Sequence, residues 1–335
     1  MPHNTVSIIL CTRDRAESLR ETLHAIDECL VPGDLAVEVL VVDNGSRDRT
    51  RPVVRQATCW GKSPRYIFEP RSGLSNARNA GLTAAQGEVL LWTDDDVRPG
   101  GHWIEAMCRP LLDDQADAVA GRVRLPDYLE RPWLRGWHRV CLAVDVPKTG
   151  DFELVGANMA FARRVLEKVP AFDPELGVGA LGACEETLFS QQLRTAGFRL
   201  MFAGEDSTVE HHCGEARLTH NSMAGMLARQ GRSQAYVDYH WLHRKRSLAA
   251  LRGAKSSLAL AGLSTYRRLR RVRVAVIGRL EARWLWRSAY YSQLLIESRR
   301  PRQYAFQGLE KLAISISSEE AYATSLRGEP PRRAA

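Results

Sequence analysis

Three consecutive carboxylates, Asp94, Asp95 and Asp96, come directly after the apolar run of residues 89–92. The run is typical of a buried parallel strand, and the carboxyl ends of such strands are where open α/β sheets bind ligands. Neighbouring carboxylates repel one another and are costly to desolvate, so a divalent cation is their simplest partner. Oxygen ligands of this kind suit Mg²⁺ or Mn²⁺. An acidic, solvated turn is the alternative that the triplet alone leaves open.

Other polar residues follow the first two predicted strands. Thr12 and Arg13 come after the first, and Asp43 and Asn44 come after the second. In one parallel sheet all of them would line the same rim as the acidic triplet. Asp or Asn at such a rim can read the edge of a base, and Arg78 can reach phosphates. A local turn at Asp43 and Asn44, and a solvated helix face at Arg78, are the structural alternatives.

The elements that must position these residues alternate between strand and helix. The patterns predict strands at residues 6–10, 37–42, 66–68 and 89–92, with helices between them that include residues 74–85. This alternation predicts a parallel α/β sheet with right-handed crossovers. Farther along the chain, the patterns predict a long loop over residues 122–152, a strand at 154–161, a helix at 185–196 and helices beyond 225.

Charge divides the chain of 335 residues into two parts. Residues 226–335 hold 22 Lys and Arg against 7 Asp and Glu, a net +15, whereas residues 1–225 hold 25 against 32, a net −7. The asymmetry predicts a boundary near residue 225, between one domain over 1–225 and a basic, mainly helical region over 226–335.

Composition also restricts the cellular setting. The seven cysteines form no Cys-x-x-Cys pair, which indicates a reduced, cytoplasmic protein without a zinc centre. A signal peptide and an apolar stretch long enough to span a membrane are both missing from the sequence, so secretion and membrane spanning are not expected.

Four blocks of the chain resemble the successive blocks of glycosyltransferase family 2, in order and spacing as well as in residue type. They are VSIILCTR (residues 6–13), VVDNGSRDRT (41–50), GLSNARNAG (73–81) and DDD (94–96). The resemblance spans roughly residues 4–225. It implies the GT-A fold, in which a nucleotide-binding α/β sheet abuts an acceptor-binding half, and transfer of a sugar from a nucleotide donor with inversion. A UDP-sugar is the donor that the family favours.

The resemblance also implies roles for single residues. It puts Thr12 beside the base or ribose, Asn44 at the base where many relatives have Asp, and Arg78 near the nucleotide. The full implied nucleotide set is Thr12, Arg13, Asp43, Asn44, Arg78, Asp94 and Asp95. Asp96 is implied as the direct ligand of Mn²⁺ or Mg²⁺, with Asp94 in a supporting role. A late block adds His211 or His212, followed by Arg217, at the metal or phosphate.

Catalysis by inversion needs a base that takes the proton of the acceptor hydroxyl. Glu186 occupies the family's place for that base, which is usually Asp, and Glu185 beside it remains a second candidate. Two acids that favour a helix N-terminus through its dipole are the structural alternative. The resemblance implies that Gly156 and Asn158 lie under the donor sugar and acceptor, although Asn158 can equally satisfy backbone groups there.

The basic C-terminal region leaves three interpretations open. Residues 267–287 mix Arg with Trp, which is typical of a helix in an anionic membrane interface, where lipid-linked acceptors are found. A helical extension packed on the catalytic domain is the second interpretation. Nucleic-acid binding is the third, and no recognised module in the sequence supports it.

Together these features predict a metal-assisted inverting glycosyltransferase that acts on a glycan or lipid-linked acceptor in bacterial cell-envelope polysaccharide assembly. We expect it to be cytoplasmic and peripheral at the inner face of the membrane. A metal-dependent phosphohydrolase or nucleotidyltransferase, and a noncatalytic protein that binds nucleotide sugars, are the alternative functions.

Overall fold

A seven-stranded mixed sheet forms the centre of the structure, a computed structural model that describes residues 4–142, 152–270 and 276–312. A separate three-stranded sheet lies beside it. The strands in chain order are β1 (Asn4–Thr12), β2 (Leu35–Asp43), β3 (Arg65–Phe68), β4 (Val89–Asp94), β5 (Val97–Pro99), β6 (Ala118–Ala120), β7 (Val123–Arg124), β8 (Asn158–Ala162), β9 (Leu200–Phe202) and β10 (Val209–His211).

Helices cover the sheet and make up most of the described C-terminal region. They are α1 (Ala16–Asp27), α2 (Thr50–Gln56), α3 (Leu74–Ala84), α4 (Trp103–Leu112), α5 (Gly136–Cys141), α6 (Glu185–Thr195), α7 (His220–His240), α8 (Ala249–Leu269) and α9 (Arg279–Glu297). No helix within the described ranges is long and apolar enough to cross a membrane.

The large sheet has the strand order β3-β2-β1-β4-β8-β6-β9. The first four strands are parallel, whereas β8 pairs antiparallel with both of its neighbours. In the register of β1, Thr12 pairs with Asp43 and Cys11 pairs with Asp94. The carboxyl ends of β1, β2 and β4 therefore meet at one rim, which confirms the predicted α/β fold with a mixed, mostly parallel sheet.

Two apolar layers hold this rim in place. One face of the sheet packs against α1 through Leu19 and Ile26. The other face, which includes the buried ring of Trp92, packs against α3. Residues 89–92 are all nearly inaccessible to solvent, which explains why their sequence is apolar on both faces. The polar residues after β4 thus extend from a strand whose position is fixed by burial on both sides.

The small sheet, ordered β5-β10-β7, brings a distant histidine to the rim. β10 pairs antiparallel with β5, and His211 lies opposite Val97, the residue directly after the acidic triplet. Val209 and His211 are both buried, because side chains two positions apart on a strand lie on the same face.

Two predicted boundaries differ from the structure. The predicted loop over residues 122–152 contains β7 and α5, and its residues 143–151 lie outside the described ranges. The strand predicted at 154–161 begins only at Asn158.

The C-terminal region is helical, as predicted, within residues 226–270 and 276–312. Its residues 271–275 and 313–335 lie outside the described part of the chain. α7 begins at His220, so the change in charge near residue 225 falls inside a helix. Both α7 and α8 pack against α9.

Candidate active site

The three acids of the rim differ in their surroundings. Asp95 is buried, and it accepts hydrogen bonds from Thr12 Oγ1 at 2.7 Å and from Arg15 Nη1 at 2.7 Å. Burial raises the pKa of Asp95 to about 6, although Arg15 and Thr12 oppose the shift. Asp94 ends β4 and lines the adjoining cavity. Burial, and then the charge of Asp96, raise the pKa of Asp94.

Asp96 lies against His211. Its Oδ1 is 3.4 Å from His211 Nε2, and its Oδ2 accepts a hydrogen bond from Arg15 Nη1 at 2.8 Å. Burial alone would raise the pKa of Asp96, yet the contacts with His211 and Arg15 outweigh it and hold that pKa below its ordinary range. Asp96 is therefore the acid of the triplet that stays ionised most readily.

The orientation of His211 suits a metal ligand. Its Nδ1 lies 2.9 Å from the carbonyl oxygen of Leu142, so this nitrogen carries the proton. Nε2 therefore carries the lone pair, which here accepts a hydrogen bond from Arg217 Nη1 at 3.2 Å, so a cation would bind Nε2 in place of Arg217. A histidine that binds metal through one nitrogen commonly donates from the other to a carbonyl in this way.

Two protein ligands are the most that this point of the rim supplies. Within the described ranges, no group of three His, Cys, Asp or Glu side chains gathers with the geometry of a metal site. Asp96 and His211 fit a cation that takes its remaining ligands from a substrate or from water, as Mg²⁺ and related ions commonly do.

His212 has a different environment. Its ring lies 3.2 Å from Tyr128 Oη and 3.1 Å from Glu210 Oε2, and only its backbone N–H reaches the rim, where it donates to the Asp96 carbonyl at 2.8 Å. Of the two predicted histidines, His211 is therefore the one whose ring lies beside the acidic rim, since the ring nitrogens of His212 bind surface groups outside it.

Sequence reasoning missed Arg15. This residue bridges Asp95 and Asp96 from the start of α1, and their charges outweigh its partial burial and raise its already high pKa. Its only signal in the sequence was its place shortly after the first predicted strand. Arg13, which was predicted, donates instead to Ser72 Oγ at 2.8 Å in the exposed part of the rim.

Asp43 and Asn44 shape the loops of the rim. Asp43 accepts hydrogen bonds from the Ser46 N–H at 2.7 Å and from Tyr66 Oη at 2.7 Å. The Asn44 amide donates to two carbonyls of the loop 69–73 and accepts the N–H of Gly73 at 2.9 Å. Both side chains are buried and bonded within the protein, so the structure favours the turn interpretation over direct contact with a base.

Arg78 is buried rather than solvated. Its Nη1 donates to Glu185 Oε1 at 2.9 Å and lies 3.8 Å from Glu186 Oε2, and its guanidinium also stacks over the ring of Phe172. Burial, and then the charge of Glu186, raise the pKa of Glu185, whereas Arg78 opposes the shift. The 2.9 Å contact makes Glu185 the enclosed partner of Arg78.

Glu186 is the more accessible acid of the pair. Its side chain is 23 % exposed against 3 % for Glu185, and its Oε1 accepts the N–H of Gly156 at 3.2 Å. Gly156 is required here because a Cβ atom at this position would lie only 1.9 Å from Arg78 Nη2. The first turn of α6 thus presents one carboxylate to the cavity and keeps the other against Arg78.

Asn158 is fully enclosed. Its Oδ1 accepts from Trp103 Nε1 at 2.9 Å, and its amide donates to the carbonyls of Arg122 at 2.9 Å and Ser207 at 2.7 Å. The side chain ties α4 to two loops, and the residue has no exposed surface. The structure thus favours the second predicted role of Asn158, which is to satisfy backbone groups, since every polar atom of its side chain is bonded within the protein.

A cavity of about 490 Å³ adjoins the rim. Its lining includes the acids Asp94 and Glu186 and the cations Arg217 and Arg229. Arg78 and His211 also line it. The volume lies in the range of small-molecule sites, and the opposed charges suit a polar ligand with an anionic part.

Comparisons with known proteins agree with this architecture. Residues 7–169 match the profile of Glycosyl transferase family 2. The succinoglycan biosynthesis protein ExoM of Rhizobium meliloti is 28% identical over 269 residues, which cover 76% of this chain and 84% of ExoM. The glycosyltransferase AglE of Haloferax volcanii is 33% identical over 119 residues, and this match spans only 39% of AglE and 35% of this chain.

Solved structures share the fold at low identity. The mannosyltransferase PcManGT from Pyrobaculum calidifontis, in complex with GDP-Man and Mn²⁺, has a TM-score of 0.52 at 19% identity and covers 96% of this chain and 79% of its own. S. aureus TarS 1-349 in complex with UDP has a TM-score of 0.50 at 15% identity. The match covers 90% of this chain and 92% of the TarS chain. The fold is that of the GT-A glycosyltransferases. The comparisons support a family 2 glycosyltransferase, with the family profile matched over residues 7–169.

Proposed function

We propose that the protein is an inverting glycosyltransferase that moves a sugar from a nucleoside diphosphate donor to an acceptor hydroxyl. The observation that carries this proposal is the position of Glu186, which faces the same cavity as Asp94 and His211 and is fixed by the Gly156 N–H. A base and a phosphate-binding rim on one cavity are what such a transfer requires. A UDP-sugar is the favoured donor, with a GDP-sugar as the alternative.

A divalent cation, Mn²⁺ or Mg²⁺, fits the donor set at Asp96 and His211. The support is the pairing of an ionised carboxylate with an imidazole whose second nitrogen is anchored on the Leu142 carbonyl. When bound, the cation neutralises the charge that develops on the diphosphate leaving group. Asp94, on the same rim at the end of β4, would hold the ribose or water around the ion.

In the proposed mechanism the Glu186 carboxylate takes the proton of the acceptor hydroxyl. The hydroxyl oxygen then forms its bond to the anomeric carbon as the bond from that carbon to the diphosphate breaks, which inverts the configuration. Arg78 and Glu185 form a buried pair that orients the first turn of α6 and limits the charge next to the base. The nucleoside diphosphate leaves with the electron pair of the broken bond.

A thermal-shift experiment tests donor binding. We expect UDP or GDP to raise the unfolding temperature in the presence of Mn²⁺, and to raise it much less with chelator, because a ligand that binds only the folded state stabilises it. The adenine and cytosine nucleotides serve as specificity controls. The absence of a metal-dependent shift with any nucleoside diphosphate would count against the whole proposal.

Product analysis separates the alternatives. A glycosyltransferase releases nucleoside diphosphate and yields a glycosylated acceptor, whereas a phosphohydrolase or nucleotidyltransferase built on the same acids releases phosphate, diphosphate or monophosphate. A noncatalytic binding protein gives a thermal shift and no product with any acceptor.

We further propose that the protein works at the cytoplasmic face of an anionic membrane, where a lipid-linked or growing glycan acceptor is found. The support is the outer face of α8, where Leu251, Leu258 and Leu269 are 66%, 73% and 79% exposed. Residues 239–280 contain 11 Lys and Arg and no Asp or Glu. Exposed leucines on a helix without acids are typical of interfacial binding.

Vesicle sedimentation tests this surface. The paired substitution Leu251→Asp and Leu258→Asp is expected to abolish binding to vesicles that contain phosphatidylglycerol, because it removes apolar area and adds negative charge. Leu30→Asp is the matched control, since Leu30 is 58% exposed and lies after the end of α1, away from α8 in the sequence. Equal binding by the paired variant, or no binding by the unaltered protein, would exclude α8 as a membrane surface.

A further inference from the structure

Two basic residues of the cavity lining, Arg217 and Arg229, come from α7 and the segment before it. Met226, Arg229 and Gln230 line the cavity from one face of α7, at the spacing of one helical turn. Arg217 lines it from the preceding segment. These residues lie beyond residue 169, where the match to the family profile ends.

Packing fixes the Arg229 side chain. Its stem lies against Gly182, where a Cβ atom would come within 2.5 Å of Arg229 Cδ. Gly182 has a φ of +111°, a conformation that residues with side chains rarely adopt. The loop that contains Gly182 leads directly into Glu185 and Glu186. Arg229 is thus held on the side of the cavity where the base lies.

The Arg229 guanidinium has no carboxylate partner within the described ranges. The same holds for Arg217, whose Nη1 contacts the ring of His211. Burial, together with the charges of Arg217 and Arg232, lowers the pKa of Arg229. Arg78, by contrast, has Glu185 as its counter-ion. A group of like charges beside a cavity is costly unless an anion compensates them.

We propose that Arg229 binds a phosphate group carried by the acceptor. Arg217 contacts His211 next to Asp96, so it lies on the side of the donor diphosphate. Arg229 lies instead against the loop that leads to Glu186, where the acceptor hydroxyl has to approach. The guanidinium of Arg is well suited to phosphate through charge-assisted hydrogen bonds. This assignment rests on the proposed function and adds a substrate class to it.

Calorimetry with small probes tests the proposal. Hexyl phosphate represents the acceptor phosphate, hexanol is its neutral counterpart, and UDP or GDP with Mn²⁺ represents the donor. We expect Arg229→Gln to weaken hexyl phosphate binding about tenfold or more, because a charge-assisted contact is lost, and to change nucleotide affinity less than about twofold. Arg229→Lys is expected to retain part of the hexyl phosphate affinity.

The matched control is Arg232→Gln, which removes the same charge from α7 at a residue that does not line the cavity. It is expected to leave both affinities nearly unchanged, and thermal unfolding verifies that each variant is folded. Weaker nucleotide binding in Arg229→Gln with unchanged hexyl phosphate binding would assign the site to the donor and overturn the proposal. Failure of the unaltered protein to bind hexyl phosphate more tightly than hexanol would also overturn it.

The same measurements distinguish this inference from the proposed function. Hexyl phosphate binding that depends on Arg229, without binding of any nucleoside diphosphate, would support the phosphate site and contradict the glycosyltransferase proposal. Nucleotide binding without hexyl phosphate binding would support the glycosyltransferase proposal and contradict the phosphate site.

Discussion

Glu186→Gln is expected to lower kcat for sugar transfer by about 1,000-fold, because the amide cannot accept the proton of the acceptor hydroxyl. Nucleotide affinity should remain within about twofold, since Glu186 contacts the Gly156 N–H and lies near Arg78 without bonding to the Asp96 and His211 pair. The amide oxygen can still accept from Gly156, so the fold should be retained. Initial rates and nucleotide binding, measured on the same preparation, check both expectations.

Glu185→Gln is the informative comparison. Glu185 is enclosed, and its Oε1 is the close partner of Arg78. The substitution should lower thermal stability and disturb both substrate binding and turnover, rather than act on kcat alone, because it leaves a buried guanidinium without its counter-ion. A selective loss of kcat in Glu185→Gln, with near-normal turnover in Glu186→Gln, would reverse the assignment of the base.

Asp96→Asn is expected to weaken Mn²⁺-dependent nucleotide binding by about 100-fold, the second large effect. The carboxylate lies beside His211 Nε2 and is the acid of the triplet whose pKa is held low, so its charge is available to a cation. An amide keeps the shape of the side chain but lacks that charge. Nucleotide titrations with Mn²⁺ and with chelator measure the metal-dependent part of the affinity.

Asp95→Asn is its matched control, one residue away. Asp95 is bonded to Thr12 and Arg15, so its substitution should cost about 2 kcal/mol of stability while much of the metal-dependent affinity remains. Equal loss of metal-dependent affinity in the two variants would contradict the division of roles within the triplet.

The rim was predictable from local sequence patterns. Residues 89–92 are apolar without alternation, which indicates a strand buried on both faces and fixes the acids at its carboxyl end. The alternation of Val209 and His211 favoured His211, but the adjacent His212 left the choice open until the structure showed His211 buried beside Asp96. Such inferences succeed because the period of a strand determines which side chains share a face.

The partners of single polar residues were less predictable. Asn158 bonds to Trp103, Arg122 and Ser207, which are 55, 36 and 49 positions away. Arg15 reaches acids about 80 positions away. The sequence shows the same Asn whether its side-chain amide faces a ligand or a buried carbonyl, so only the tertiary packing distinguishes the two roles.

The continuity of α7 has a consequence for engineering. The helix begins at His220, carries Arg229 at the cavity and ends at His240, where it packs beside α9. A chimaera joined at the change in charge near residue 225 would cut this helix and combine its first turn with a foreign cavity wall. Crossover points placed before residue 220 would instead transfer the helix whole, so that Arg229 and the part of the cavity wall formed by α7 stay together.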